Sequence, residues 1–206
     1  MRTHTKKTQE DLTPDLAIEI LKKGNERFIN NIKAHRNLLQ QINETSSGQF
    51  PFAAILSCID SRTSAELIFD QGLGDIFSIR IAGNILNEDI LGSMEFACKI
   101  AGSKLILVLG HTNCGAIIGA CDNIKLGNIT SLMDKIKPAI TMETQTVSER
   151  NGRNDEFVKN VAVNNVRITV DEILRRSSIL NELEKENKIK ITGGIYDVET
   201  GKVNFL

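Results

Sequence analysis

The run Phe52-Ala53-Ala54-Ile55-Leu56 is apolar without interruption, and Ser57 and Cys58 follow it directly. A short stretch with no polar alternation reads as a strand buried on both faces, which is the signature of a parallel sheet covered by helices. Two further strands are expected at Ile76–Ile81 and Lys104–Leu109, with a helical segment between them from about Glu88 to Ile100. Strands alternating with helices give an α/β fold with a mainly parallel central sheet flanked by helices.

Working outward, Thr13 and Pro14 supply a capping hydroxyl and a first-turn proline. Leu16, Ile20, Leu21 and Phe28 then recur at helical spacing, so an amphipathic arm is expected ahead of the core. A small-residue helix is expected from near Gly115, carrying Ile117, Ile118 and Cys121. Helices broken near Gly152 are expected from about Ile129 to Asn187, and two strands around Asp197–Gly201 close the chain. The expected organisation is a single domain over residues 1–206, with a helical arm over 1–48 and an α/β core over 49–206.

Composition removes several classes of function. With 25 basic and 26 acidic residues the net charge is −1, and the basic residues are scattered, so no nucleic-acid partner is expected. Apolar runs such as Leu105–Leu109 are too short to span a bilayer. The basic amino terminus lacks the apolar stretch of a secretory signal, so a cytoplasmic protein is expected, whose four cysteines are free thiols or metal ligands rather than disulfides. Neither Gly-x-Gly-x-x-Gly nor a phosphate-loop Gly-Lys-Ser/Thr is present, which disfavours nucleotide binding.

Both of the motifs that carry chemistry follow strands. His111 and Cys114 form His-x-x-Cys in one turn, a weak signal alone, since a lone histidine is often a hydrogen-bonded core residue and a free cysteine a small hydrophobe. Cys58, 53 residues earlier, completes two thiolates and one imidazole, a set that catalytic zinc sites use while leaving one position open. In an open parallel sheet ligands bind beyond the carboxyl ends of the strands, so the two motifs can converge there. Asp60 and Arg62 lie beside Cys58, where a carboxylate and a guanidinium can pair next to the metal, or form an ordinary surface ion pair of little worth. Cys98 and Cys121 are assigned to the core, and His4 and His35 to solvent. A redox pair of Cys58 and Cys114 is disfavoured by the absence of Cys-x-x-Cys.

Cys58-Ile59-Asp60-Ser61-Arg62 followed by His111-Thr112-Asn113-Cys114 resembles the beta-class carbonic anhydrases, whose signature is Cys-x-Asp-x-Arg after one strand and His-x-x-Cys after another. Gly24-Asn25-Glu26-Arg27-Phe28, Arg80-Ile81-Ala82-Gly83-Asn84 and Gly193-Gly194-Ile195-Tyr196-Asp197 extend the resemblance over most of the chain. It implies one zinc ion per chain on Cys58, His111 and Cys114, and reversible hydration of carbon dioxide to bicarbonate by a zinc-held hydroxide, with Asp60 and Arg62 as the catalytic dyad. Asp60 is a possible fourth zinc ligand in a closed state.

Gln49, Phe77, Phe96 and Gly115 are the implied substrate-pocket residues, part of that pocket coming from a neighbouring subunit. Phe96 stands where plant-type members often carry tyrosine, so the hydroxyl contact is lost. A homodimer or homotetramer is implied, and the apolar face of the Pro14–Phe28 arm also needs somewhere to be buried. Two alternatives stand beside this reading. One is hydrolysis of carbon disulfide or carbonyl sulfide on the same fold, and the other is a structural zinc protein whose fourth position is permanently closed.

Overall fold

The computed structural model describes residues 3–206. Three helices open the chain, α1 (Lys6–Glu10), α2 (Pro14–Ile29) and α3 (Leu38–Thr45). They are followed by β1 (Ala53–Ser57), α4 (Ala65–Ile68), β2 (Ile76–Arg80), α5 (Glu88–Glu95) and β3 (Leu105–His111). Then come α6 (Gly115–Cys121), α7 (Gly127–Asp134), α8 (Lys137–Met142), α9 (Asp155–Arg176), α10 (Ser178–Lys185), β4 (Lys190–Tyr196) and β5 (Val203–Phe205). The expected α/β architecture is present, with several boundaries moved. β3 runs two residues further than expected, so His111 is its last residue rather than part of the following loop. The Glu88–Ile100 helix changes to a π-helical turn over Phe96–Ile100. The break near Gly152 is the whole of 143–154. The short helices α1 and α4 carry too few apolar positions to show a period.

The sheet order is β2-β1-β3-β4-β5, parallel except for β5, which returns antiparallel to β4. From β1 the chain goes first to β2 on one side and then to β3 on the other. Such a reversal of direction opens a crevice between the carboxyl ends of the two central strands, here β1 and β3. Alternate residues feed two cores. Ala54, Leu56, Ile106 and Val108 pack under Val166, Ile173, Leu180 and Leu183, while Ala53, Ile55, Leu105 and Leu107 meet Ala17, Leu21, Ile68 and Phe69. A third cluster surrounds the crevice and joins Cys58 and Cys114 to Ile117, Ile136 and Phe157.

The arm does not stand away from the core. Ala17, Ile18 and Leu21 are buried against the sheet of their own chain and Ile20 and Phe28 pack partly against it, while Leu16 stays 51% exposed, so most of this face is covered internally. Gly24-Asn25-Glu26-Arg27-Phe28 is the docking segment. Asn25 Nδ2 donates to the carbonyls of Ile68 and Gly201, and Asn25 Oδ1 accepts from Val203 N. Arg27, together with Arg36, pairs with the buried Asp70. His4 also departs from expectation, being half-buried with its ring 5.3 Å from that of Phe52, whereas His35 is exposed. Cys98 is buried as expected, but Cys121 only partly.

Burial pushes the Asp70 carboxyl up, but hydrogen bonds from Arg27, the Ala34 amide and Arg36 outweigh it and leave the group below its ordinary value. A lowered folded-state value stabilises the fold above the unfolded carboxylate value of about 3.9 and loses that contribution as pH falls through the folded one. Asp70→Asn keeps the left-handed backbone (φ 44°) accessible but removes the charge. The variant is expected to lose about 3 kcal/mol at pH 7, as when a buried pair is broken. The gap from the parent should narrow below about pH 4. Urea unfolding at both pH values checks this, and an equal gap at both would contradict it.

Candidate metal centre

Cys58 lies one residue past β1, His111 ends β3, and Cys114 caps the start of α6, so all three meet at the crevice. Asn113 makes the turn between the last two with φ 53°, a left-handed conformation that asparagine tolerates better than most residues. The two sulfurs are 3.9 Å apart, and the three candidate donor atoms lie within 4.8 Å of one another. Tetrahedral zinc with Zn–S bonds of about 2.3 Å separates two sulfurs by roughly 3.8 Å.

The histidine is prepared in the same sense. His111 Nδ1 lies 2.9 Å from the Thr112 carbonyl, which can only accept, so the proton sits on Nδ1 and the lone pair on Nε2. Nε2 is buried without a hydrogen-bond partner. A buried orphan nitrogen is costly unless something binds it, and a metal ion satisfies that need. The cysteines share the need. Cys114 and the Gly83 amide hold the Cys58 thiol well below its usual range despite burial, while Cys58 and burial together push Cys114 up. One proton therefore remains in the pair until a cation balances a second thiolate. The donor set fits zinc.

Asp60 and Arg62 form a two-pronged pair. Arg62 Nε donates to Oδ1 at 2.9 Å and Nη2 to Oδ2 at 2.8 Å, while the Arg62 backbone amide donates to Oδ1 at 3.0 Å. These bonds hold the Asp60 carboxyl far below the ordinary carboxylate range, against a smaller opposing effect of burial. Asp60 Oδ2 lies 3.9 Å from His111 Nε2, so the carboxylate faces the donor cluster. Arg80, at the end of β2, ties the loop down by donating to the carbonyls of Cys58 (3.0 Å) and Asp60 (2.7 Å).

A family model described as carbonic anhydrase matches residues 53–203, nearly three-quarters of the chain. A carbonic anhydrase 2 of Mycobacterium tuberculosis is 35% identical over 199 residues, covering 92% of this chain and 91% of the relative. The carbonic anhydrase of Mycolicibacterium smegmatis is 32% identical, covering 92% of each. Among solved structures, a beta-carbonic anhydrase of Coccomyxa superposes with a TM-score of 0.73 at 21% identity, covering 93% of this chain and 82% of that one. One of Aspergillus fumigatus gives 0.71 at 23%, covering 93% and 89%. The chain belongs to the beta-carbonic anhydrase family.

Within this carbonic anhydrase the expected pocket residues are dispersed. Phe77 and Phe96 meet edge-on, with ring centroids 6.5 Å apart, in a cleft of about 780 Å³ along the exposed edge strand β2. Arg80 also lines that cleft, but none of the three candidate ligands does. Phe96 is 54% exposed. Gln49 is exposed on the loop before β1. Gly115 opens α6 directly after Cys114, with nothing within 4 Å of where a Cβ would stand. Sequence reading gave no role to Arg80, Gly83 or Asn165, although the first two lie in the quoted segment Arg80–Asn84, which itself marked the place.

Proposed function

We propose that this enzyme hydrates carbon dioxide reversibly to bicarbonate and a proton, with one zinc ion held by Cys58, His111 and Cys114. Zinc, when bound, supplies a Lewis acid that lets water lose a proton near neutral pH. The observation that carries the reading is the intact Asp60–Arg62 pair facing the donor cluster. Asp60, ionised and fixed, accepts a hydrogen bond from water at the site and turns its lone pair toward carbon dioxide. Arg62 engages both carboxylate oxygens and so keeps Asp60 away from the fourth position. That arrangement favours an open, catalytic centre over a closed structural one.

Phe77, Phe96 and Gln49, exposed or half-exposed in one chain, suit a pocket completed by a second copy. Tetrameric beta-carbonic anhydrases are known from Sordaria macrospora, and we extend a dimeric or tetrameric assembly to this chain. Among the described residues no helix is long and apolar enough to cross a membrane. No two of the four cysteines are joined in a disulfide, which suits a cytoplasmic enzyme.

Stopped-flow hydration by the reduced, zinc-loaded protein from about pH 6.5 to 9 tests the function. Two thiolates neutralise the dication, so activity should improve toward alkaline pH. A protein that holds zinc but is inactive throughout the range would point to a closed site or another small substrate.

A further inference from the structure

Asn165 lies mid-way along α9, 3% exposed, on the helix face that buries Val161, Ala162 and Val166. An amide in such surroundings is costly unless it is hydrogen-bonded. Its Nδ2 donates to the Gly83 carbonyl at 2.8 Å, across 82 positions of sequence. The Gly83 amide in turn donates to Cys58 Sγ at 3.3 Å. Gly83 has φ 67°, and an added Cβ would meet Ile136 Cδ1 at 2.9 Å and Ala116 Cβ at 3.2 Å. Only glycine fits this turn. Glycine is also the residue with the freest backbone, so the direction of its amide has to be fixed from outside.

We infer that Asn165 is a positioning residue of the metal centre: by holding the Gly83 carbonyl it keeps the Gly83 amide aimed at the Cys58 sulfur and so limits the charge that this thiolate donates to the metal. The inference rests on Cys58 being a zinc ligand. Two thiolates otherwise cancel the charge of the dication, and an N–H bond to one of them leaves the metal a stronger Lewis acid. Thr169, one turn further along α9, bonds the Asn165 main-chain carbonyl instead and does not touch the glycine turn, which makes it the natural control.

The test loads the full-length protein with ¹¹³Cd²⁺ and looks for scalar coupling between the Gly83 amide proton and the metal, transmitted through the N–H···S bond. Coupling is expected in the parent and lost in Asn165→Leu. In Co²⁺-loaded Asn165→Leu the sulfur-to-metal charge-transfer band should move to longer wavelength. With zinc, kcat should fall about tenfold, the usual size of losses when an outer partner of a metal ligand is removed. Thr169→Val should leave the spectrum and kcat as in the parent. A purely structural role would lower Tm alike in both variants and move neither spectrum, which overturns the proposal. If Asn165→Leu does not fold, the parent still decides, because cadmium bound through Cys58 without coupling to Gly83 overturns it equally. Failure of either metal to bind through Cys58 would instead remove the metal reading itself.

Discussion

Arg62→Ala is expected to lower kcat/KM for carbon dioxide hydration by at least about a hundredfold, the scale of losses from misplaced catalytic groups, while zinc stays bound. The guanidinium is not among the candidate ligands, so its removal leaves the Cys58, His111 and Cys114 donors in place. Asp60, however, loses both prongs that engage its oxygens. Its Oδ2, already 3.9 Å from His111 Nε2, is then free to swing toward the metal position. Stability should scarcely change, because the arginine side chain is 49% exposed and exposed pairs contribute little. Arg62→Lys should recover only part of the rate, since an ammonium cannot engage both carboxylate oxygens in a fork. Stopped-flow rates, metal analysis and a melting curve on the same samples separate the outcomes. Near-parental turnover in Arg62→Ala would remove the dyad from the mechanism.

How far the sequence disclosed this centre depended on the range of the interactions. Cys58, Asp60 and Arg62 lie within one loop, and His111 and Cys114 within one turn, so local spacing and strand ends were enough to expect them at one place. The strands were legible because β1 and β3 are buried on both faces and are apolar up to their carboxyl ends. The contacts that support the centre join distant segments, as Asn165 reaches Gly83 and Arg80 reaches Cys58, and an asparagine in a helix or an arginine ending a strand carries no local mark of its partner. The fate of the arm was hidden for the same reason. An amphipathic period says that one face is buried, but not whether its own sheet or another chain covers it.

Gly24→Ala should be the most destabilising single-methyl change in that arm. On an open helix surface the substitution would be favourable by nearly 1 kcal/mol, because alanine is the better helix former. Gly24, however, faces backbone, and an added Cβ would lie 1.8 Å from the Phe69 carbonyl oxygen and 2.7 Å from its carbon. Backbone at the end of α4 cannot rotate aside as a side chain can, so α2 has to move outward. That displacement pulls Asn25 from Ile68, Gly201 and Val203, and Arg27 from Asp70, and it opens the Leu21 and Phe69 packing. Overpacking of this kind costs about 3 kcal/mol, or more where hydrogen bonds break with it. For a chain of this length that corresponds to a Tm lower by roughly 6–12 °C. Thermal melts of Gly24→Ala beside Gly92→Ala, where no atom lies within 4 Å of the new methyl, make the comparison. Equal melting temperatures would mean that the arm docks loosely and that the Gly24–Phe28 segment does not hold it to the sheet.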